Sequence, residues 1–499
     1  MKETSGFAGF TAAFTDAFRR TFHRGLKAWP TALLMVLIVI LGLPAGWLLA
    51  PAFIGPAPVE APETPAWQQA PASLPARQGL SPLTDSAPVP LPTAVAAQLE
   101  PVLKPDGGGT FTGLVQDAFT GQVLFDRGGS ENRIPASNMK LLTAVAALRV
   151  LGPDARFSTT VIAGPTPDQV VLTGGGDVLL GAGESAPEEV LGHAGLATLA
   201  AAAVAALQDA GATGELKVLV DDSLFSGPAL NPAWADGDVE AGEVAPLFPL
   251  ALNSARFDPA VTTGPRPQDS AVTAAEAFAA QLKAAGAAAG LTVATGVGRY
   301  TTPETPARDP DVLAEVQSAT VGEQVDLMLQ TSDNYLAEVL GRMAAAAEGQ
   351  PASNDAATAT VRAQLAELGI PTDTMRLADV SGLALDNQVS ARQFAEVVRA
   401  ITSGADLRLR AALAGFPVAG LTGTLDTRYG DSSTARGAGL VRAKTGTLNS
   451  VIALSGYVVD ADGRLLVFSF IGNGLTPGSG GNKEALDRAA TALAACGCR

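Results

Sequence analysis

Ser137 and Lys140 stand three positions apart in "IPASNMKLLTA" (134–144), at the start of an apolar run with helical periodicity. Residues at i and i+3 lie on one side of a helix, so the two side chains can touch. A serine hydroxyl becomes a nucleophile only when a neighbouring base takes its proton. Lysine can be that base when burial or a second cation lowers its pKa. A lone pair of this kind is more often a helix cap beside a surface lysine, so the rest of the chain must decide.

Two further motifs follow in the order that this chemistry requires. "TSDNYLAE" contains Ser332 and Asn334, and "AKTGTL" contains Lys444, Thr445, Gly446 and Thr447. The ordered set S-x-x-K, S-D-N and K-T-G is typical of enzymes that form a serine acyl-enzyme with a peptide or a β-lactam. Each match is weak alone, but the three together favour the catalytic interpretation of Ser137.

Each motif has an expected role. Ser332 and Asn334 would relay a proton and hold the substrate amide, and the backbone N–H groups of Ser137 and Thr447 would form the oxyanion hole. Lys444 and Thr447 are expected to share one face of a strand and bind the substrate carboxylate. Gly446 would let the substrate approach the strand edge, with Thr445 beside it.

The motifs extend into a family resemblance. The chain also contains "GGGD" (174–177), "VDDSLFSGP" (220–228), "DVSGLALDNQVS" (379–390) and "GLTGTLDTR" (420–428). With the three motifs, these resemble the serine D-alanyl-D-alanine carboxypeptidase/endopeptidase family, the class C low-molecular-weight penicillin-binding proteins with a large inserted domain. The long stretch between Lys140 and Ser332 argues against an ordinary class A β-lactamase, which has no room for it.

The resemblance implies a mechanism and partners. Ser137 would be the acylated nucleophile and Lys140 its base, with peptidoglycan stem peptides as substrates, β-lactam antibiotics as covalent inhibitors, and no metal or organic cofactor. Family members that favour a diaminopimelic side chain carry an acidic group near Asp236 and Asp238, and we choose Asp238; a solvated acidic loop is the alternative. The "D-x-S-G-L" at Asp379 is interpreted as a structural turn near the site. A β-lactamase and a catalytically silent scaffold that binds wall peptides remain alternative functions.

The predicted fold class is α+β. An antiparallel sheet flanked by helices, of the penicillin-binding and β-lactamase-like kind, is expected from the two ends of the folded chain, residues 94–156 and 311–499. Residues 157–310 alternate short apolar runs with Ala-rich helical stretches, which indicates an inserted α/β region.

Charge and the N-terminal segment restrict the partners. The net charge of −16, from 49 acidic and 33 basic residues, leaves no basic footprint for nucleic acid. Residues 29–55 are uncharged and long enough to cross a bilayer, with basic residues before them in the 1–28 segment. We predict a cytoplasmic N-terminus, a transmembrane helix and a Pro/Ala-rich linker (56–93) that tethers an extracytoplasmic enzyme to the cell membrane. A cleaved signal peptide, and hence a secreted enzyme, is the alternative.

Overall fold

The structure, a computed structural model, describes residues 83, 85–301 and 311–498. Its strands are β1 (Gly108–Asp117), β2 (Val123–Arg127), β3 (Asn132–Arg133), β4 (Ser158–Ala163), β5 (Gln169–Gly174), β6 (Gly214–Asp221), β7 (Leu291–Arg299), β8 (Val312–Gln317), β9 (Val389–Ser390), β10 (Arg442–Leu448), β11 (Val451–Val459) and β12 (Leu465–Thr476). Its helices are α1 (Pro92–Leu99), α2 (Met139–Val150), α3 (Leu196–Asp209), α4 (Asp236–Glu240), α5 (Ser270–Gly286), α6 (Val321–Thr331), α7 (Asn334–Ala347), α8 (Asn354–Glu367), α9 (Ala391–Ser403), α10 (Ala412–Gly415) and α11 (Lys483–Ala494).

An antiparallel sheet joins the two ends of the described chain. Its strand order is β10-β11-β12-β1-β2, and every neighbouring pair is antiparallel. Successive side chains alternate between its faces. Leu114 and Val467 join the core formed with α2, α7 and α9, whereas Val115 and Phe468 join the core beneath α1 and α11. Because both faces are covered, β11 (VIALSGYVV) and the first part of β12 (LLVFSFIG) are nearly continuous apolar runs. The predicted α+β class with an antiparallel sheet flanked by helices is confirmed.

Helix α2, which carries Lys140, is the central helix of this part of the molecule. Residues from Met139 to Leu148 are all buried, and the helix contacts α6, α7, α8 and α9. A helix that is surrounded on all sides needs no polar face, so its sequence "MKLLTAVAALRV" is apolar all round. The one cation in its first turn is therefore carried into the protein interior.

The inserted residues form a second sheet with its own core. Its order is β7-β6-β5-β4-β8: β5, β6 and β7 run parallel, and β4 is antiparallel to both β5 and β8. Helices α3 and α5 supply apolar side chains to the core of this sheet. This sheet extends past the predicted limit of residue 310, because β8 returns to pair with β4. Ser158 pairs with Gln317 in this ladder, and a pairing between residues so far apart leaves no local signal in the sequence.

The predicted N-terminal segments lie almost wholly outside the described residues. These are the cytoplasmic segment (1–28), the transmembrane segment (29–55) and most of the linker (56–93). Among residues 85–301 and 311–498, no helix combines the length and the apolar character that a bilayer crossing requires. The described end of the linker contacts the fold, since the buried Arg464 guanidinium donates to the carbonyl of Ala87 at 3.0 Å.

Candidate active site

Ser137 lies in a 3-10 turn, Ala136–Asn138, that runs directly into α2. Ala136 has φ 47°, in the left-handed region that side chains other than glycine rarely adopt, and such strain is common at functional sites. Strands β11 and β12 hold this turn in place. Asn138 Nδ2 donates to Ser455 Oγ of β11 at 2.7 Å, and the Ser455 hydroxyl is hydrogen-bonded to the Ser469 hydroxyl of β12 at 2.8 Å. The nucleophile is therefore placed by the sheet as well as by its own helix.

Lys140 Nζ has three hydrogen-bond acceptors around it. They are Ser137 Oγ at 3.1 Å, Asn334 Oδ1 at 2.6 Å and the Ser381 carbonyl at 2.7 Å. These match the three donors of an ammonium group. A neutral amine would keep the two shorter bonds and direct its lone pair at the Ser137 hydroxyl. The sequence-predicted contact between Ser137 and Lys140 is thus present, with geometry suited to proton transfer.

Burial sets the charge state of this amine. Lys140 is completely buried, and the loss of hydration lowers the pKa of Lys140 to about 8. Four carboxylates oppose that shift through their negative charge, namely those of Asp379, Asp333, Glu338 and Glu243. Burial prevails over their combined field, so the amine titrates close to neutral pH rather than near 10.

The S-D-N motif occupies the short connection between two helices. Thr320 and Glu323 form a capping box that starts α6, and Ser332 ends it in the left-handed conformation with φ 61°. Asp333 then caps α7 by accepting from Leu336 N at 3.1 Å. These two local signals fix a two-residue connection and place Ser332 and Asn334 on either side of Asp333.

The two lysines of the site are linked through this connection. Lys444 Nζ donates to Ser332 Oγ and to the Thr445 carbonyl, both at 2.9 Å. Lys444 is completely buried; burial, followed by the charge of Lys140, lowers the pKa of Lys444 well below its ordinary value. Asn334 spans the other side, accepting from Lys140 and donating to the Glu243 carbonyl at 3.0 Å.

Strand β10 corrects one expectation from the sequence. Lys444 and Thr447 are three positions apart, so they point to opposite faces of the strand, and the predicted shared face is wrong. Thr445 and Thr447 share a face and line the cleft, and Thr445 Oγ1 lies 2.7 Å from Thr424 Oγ1. Lys444 is not among the side chains that line the cleft and reaches it only through Ser332.

Gly446 is required by the protein's own backbone. A Cβ atom at this position would lie 2.9 Å from the Pro135 carbonyl and 3.1 Å from Ser137 N. Glycine therefore lets β10 approach the nucleophile turn, which is a different reason from the expected approach of substrate. The same contact places β10 against the nucleophile turn, and an oxyanion hole made of the Ser137 and Thr447 N–H groups stays a prediction.

Thr447 also lies on an open edge. Strand β10 ends the sheet, and its first half pairs with residues 417–419, where Ala443 N donates to the Pro417 carbonyl. Backbone groups alternate in direction, so those of Thr445 and Thr447 point the same way, beyond the end of that pairing. An extended peptide could add to the strand there.

The cleft has a volume of about 1010 Å³. Its lining includes Ser137, Ser332, Asn334, Thr445 and Thr447, together with Asp238. Asp238 is half-buried and lies on the short helix α4 of the inserted region, whereas Asp236 is exposed and outside the lining. The structure therefore brings together the three motifs and the chosen acidic residue.

The loop after α8 supplies a partner that the sequence did not reveal. Asp379 is fully buried and accepts from Gly382 N, Ala384 N and Trp234 Nε1 at 2.7–2.9 Å. The turn that it organises presents the Ser381 carbonyl to Lys140. Gly382 has φ 86°, and a Cβ there would lie 2.0 Å from the Ala136 carbonyl. Asp379 has the structural role in a turn that was expected for "D-x-S-G-L". The contact of the Ser381 carbonyl with Lys140 was not expected, because a backbone acceptor has no sequence signature.

Other titratable residues lie apart from the nucleophile. His193 lies in the inserted region, 2.8 Å from Arg156, and is not among the residues that line the cleft. Arg428 lines the cleft and pairs with Asp487 at 2.6 Å. Within residues 85–301 and 311–498, no group of three or more His, Cys, Asp or Glu side chains is arranged to hold a metal ion.

Sequence comparison identifies relatives of this chain. Residues 95–273 and 265–494 match the D-Ala-D-Ala carboxypeptidase 3 (S13) family. The chain belongs to that family. It is 36% identical to the carboxypeptidase DacB of Mycolicibacterium smegmatis, over 86% of this chain and 90% of the relative. It is 30% identical to a D-alanyl-D-alanine carboxypeptidase of Actinomadura sp., over 72% of this chain and 77% of that one.

Solved structures show the same fold. Penicillin-binding protein 4 of Haemophilus influenzae superposes with a TM-score of 0.61 at 22% identity, covering 81% of this chain and 98% of that protein. The same protein has also been solved in complex with a β-lactam, with a TM-score of 0.58. The predicted family and the predicted serine D-alanyl-D-alanine carboxypeptidase activity are confirmed by these relationships.

Proposed function

We propose that Ser137 is the nucleophile of this carboxypeptidase and Lys140 its general base, acting on the D-Ala-D-Ala end of peptidoglycan stem peptides. The observation that carries the proposal is a fully buried amine with a pKa of about 8 at 3.1 Å from a serine hydroxyl that lines an open cleft. Carboxypeptidase relatives over most of the chain support the substrate class.

The reaction follows from the contacts around Lys140. The neutral amine takes the Ser137 proton as Oγ bonds to the carbonyl carbon of the penultimate D-alanine. The N–H groups of Ser137 and Thr447 stabilise the oxyanion. The C–N bond then breaks as the Ser332 hydroxyl, which lines the cleft beside Lys444, gives its proton to the nitrogen of the departing D-alanine. Ser332 regains a proton, the one that Lys140 took from Ser137, so the Lys140 amine is neutral again for the next step. Water hydrolyses the ester, releasing the shortened peptide and restoring the Ser137 hydroxyl.

Substrate binding is assigned to the open strand and the inserted region. The stem peptide would lie along β10, with its terminal carboxylate at the hydroxyls of Thr445 and Thr447 and its amide at Asn334. Lys444 would act on the substrate through its hydrogen bond to Ser332. Asp238, which also lines the cleft, would bind an amino-bearing side chain of the stem peptide. Cleavage of D-Ala-linked cross-bridges would use the same acyl-enzyme steps.

β-Lactam inhibition and the cellular location complete the proposal. A β-lactam presents a strained amide and a carboxylate to the same groups, and the Haemophilus influenzae protein with this fold binds one.

The uncharged segment 29–55 would hold the enzyme on the outer side of the cell membrane, with export as a cleaved secretory protein as the alternative.

Labelling with a fluorescent penicillin tests the assignment of the nucleophile. The full-length protein should be modified stoichiometrically and lose the label slowly, with mass mapping to Ser137, and Ser137→Ala should not be labelled. Modification of another serine would refute the assignment. Rapid loss of the label would identify a β-lactamase, and no labelling of a folded protein that binds wall peptides would identify a silent scaffold.

A further inference from the structure

The inserted region reaches the catalytic motifs through Arg256. Its Nη1 donates to Asp333 Oδ2 at 2.8 Å, and the two side chains are 16% and 4% exposed. Although burial alone would raise the pKa of Asp333, the charges of Arg256 and Arg266 bring it below its ordinary value. Asp333 is thus an ionised, almost buried carboxylate in the middle of the S-D-N motif.

Asp333 joins the two residues that contact the catalytic lysines. On one side, Ser332 accepts from Lys444, and on the other, Asn334 accepts from Lys140. Asp333 Oδ1 caps α7, whereas Oδ2 is the atom that Arg256 holds. Rotation or withdrawal of the Asp333 side chain would therefore move both neighbours with respect to both lysines.

The three residues that precede Arg256 have a strained backbone conformation. Asn253, Ser254 and Ala255 have φ of 53°, 56° and 54°, three consecutive left-handed residues without a glycine. Each is an unfavourable conformation that persists only where the surroundings impose it.

Hydrogen bonds to its backbone hold this segment in buried surroundings. Asn253 N donates to the Leu180 carbonyl at 3.1 Å and Ser254 N to the Val178 carbonyl at 2.7 Å, while Arg266 Nη1 donates to the Ser254 carbonyl at 2.9 Å. The side chains of Ser254 and Ala255 are almost fully buried. The strained turn is thus fixed to the inserted region and delivers the guanidinium to Asp333.

We infer that Arg256 is a positioning residue for catalysis: the inserted region uses it to hold the S-D-N connection in register with Lys140 and Lys444. Two further contacts from the inserted region hold partners of Lys140. The Glu243 carbonyl accepts from Asn334, and Trp234 donates to Asp379 in the turn that presents the Ser381 carbonyl to Lys140. The inserted region is thereby part of the catalytic apparatus and not only a wall of the cleft. This inference rests on the proposed roles of Ser137 and Lys140.

The inference predicts coupled losses when the pair is broken from either side. Arg256→Gln removes the cation, and Asp333→Asn removes the anion while keeping a residue that caps helices equally well. Each should lower the rate of Ser137 acylation by labelled penicillin roughly a hundredfold, the usual cost of a displacement of about 1 Å in a catalytic group. The double variant should be no slower than the slower single variant, because both changes break one contact. Arg256→Lys should recover part of the rate.

The pH dependence separates positioning at this site from a general loss of structure. Lys140 lies in the field of Asp333, Asp379, Glu338 and Glu243, with Lys444 as the neighbouring amine. Loss of the Arg256 charge leaves only Arg266 to oppose the field of Asp333, so acylation should reach half its maximum at a higher pH. Loss of the Asp333 charge should move that midpoint to a lower pH.

The experiment compares acylation rates across pH for the full-length proteins, with thermal unfolding to show that each is folded. Arg299→Gln, which breaks the partly exposed pair with Asp222 elsewhere in the inserted region, is the matched control and should acylate normally. A wild-type rate in folded Arg256→Gln, losses that multiply in the double variant, or midpoints that do not move would each overturn the inference. If wild-type protein is not labelled at Ser137, the proposed function fails instead.

Discussion

The charge state of Lys140 should control the rate of acylation as pH changes. The amine accepts the Ser137 proton only when it is neutral, and it has the required contact at 3.1 Å. For a solvated lysine with pKa 10.5, about 1 in 3000 amines is neutral at pH 7. With the pKa lowered to about 8, about 1 in 11 is neutral at the same pH. Burial therefore raises the active fraction roughly 300-fold.

These fractions fix the shape of the profile. Protonation inactivates the base, so the second-order rate of acylation should rise with pH, be half-maximal near pH 8 and level off above it. The rise between pH 7 and the plateau should be about tenfold. Lys140→Ala should lose about 10²–10⁴-fold at the plateau, the usual contribution of a general base. Lys140→Arg should fail as well, because a guanidinium keeps its proton at every working pH.

Stopped-flow acylation by a chromogenic β-lactam between pH 6 and pH 10 measures the profile. Lys217→Arg is the matched control, because Lys217 makes an exposed ion pair with Asp168 in the inserted region and the same exchange there should not alter the rate. A flat profile in the wild type, or near-normal acylation by folded Lys140→Arg, would show that another group takes the Ser137 proton.

Two further changes test substrate binding and stability. Thr447→Val keeps the side-chain shape but removes a hydroxyl from the cleft, so kcat/KM for a peptide with a free terminal carboxylate should fall roughly ten- to a hundredfold. A peptide with an amidated terminus should be affected much less, and equal losses would assign Thr447 to the strand. Asp117→Asn removes the carboxylate that pairs with the buried Arg464 guanidinium. Urea titration should show that the unfolding free energy falls by about 3–5 kcal/mol, while kcat stays unchanged.

The sequence predicted the parts of this protein that have local or short-range signatures. Ser137 and Lys140 are one helical turn apart, so their contact follows from spacing alone. The capping box at Thr320 and the cap at Asp333 are local in the same way, in "TVGE" and "SDN", although the expected roles of Ser332 and Asn334 did not depend on them. Resemblance then supplied what spacing could not, which is that these motifs meet in one cleft.

Contacts between distant segments were not predictable in this way. Strand β8 joins the inserted sheet because its partner is β4, and nothing near residue 310 records that pairing. The Ser381 carbonyl is a backbone group, and any residue type would supply it. For Lys444 and Thr447 the spacing alone was sufficient, because residues an odd number of positions apart on a strand point to opposite faces. Which of the two faces meets the nucleophile turn depends on the three-dimensional packing.

A serine enzyme without a histidine in its cleft must obtain its base from the interior of the fold. A histidine titrates near neutral pH without assistance, whereas a lysine has to be desolvated first. Lowering the pKa of Lys140 from 10.5 to about 8 means that the fold destabilises the charged amine relative to the neutral amine by about 3 kcal/mol. The buried position of helix α2 imposes that loss, while Asn334, the Ser381 carbonyl and the Ser137 hydroxyl keep the amine in position in either charge state. The surrounding carboxylates limit the shift, which keeps the amine basic enough to accept a serine proton. The burial of α2, the Asp379 turn and the Arg256 contact are therefore parts of one arrangement, in which the surroundings of a single lysine determine whether Ser137 can react.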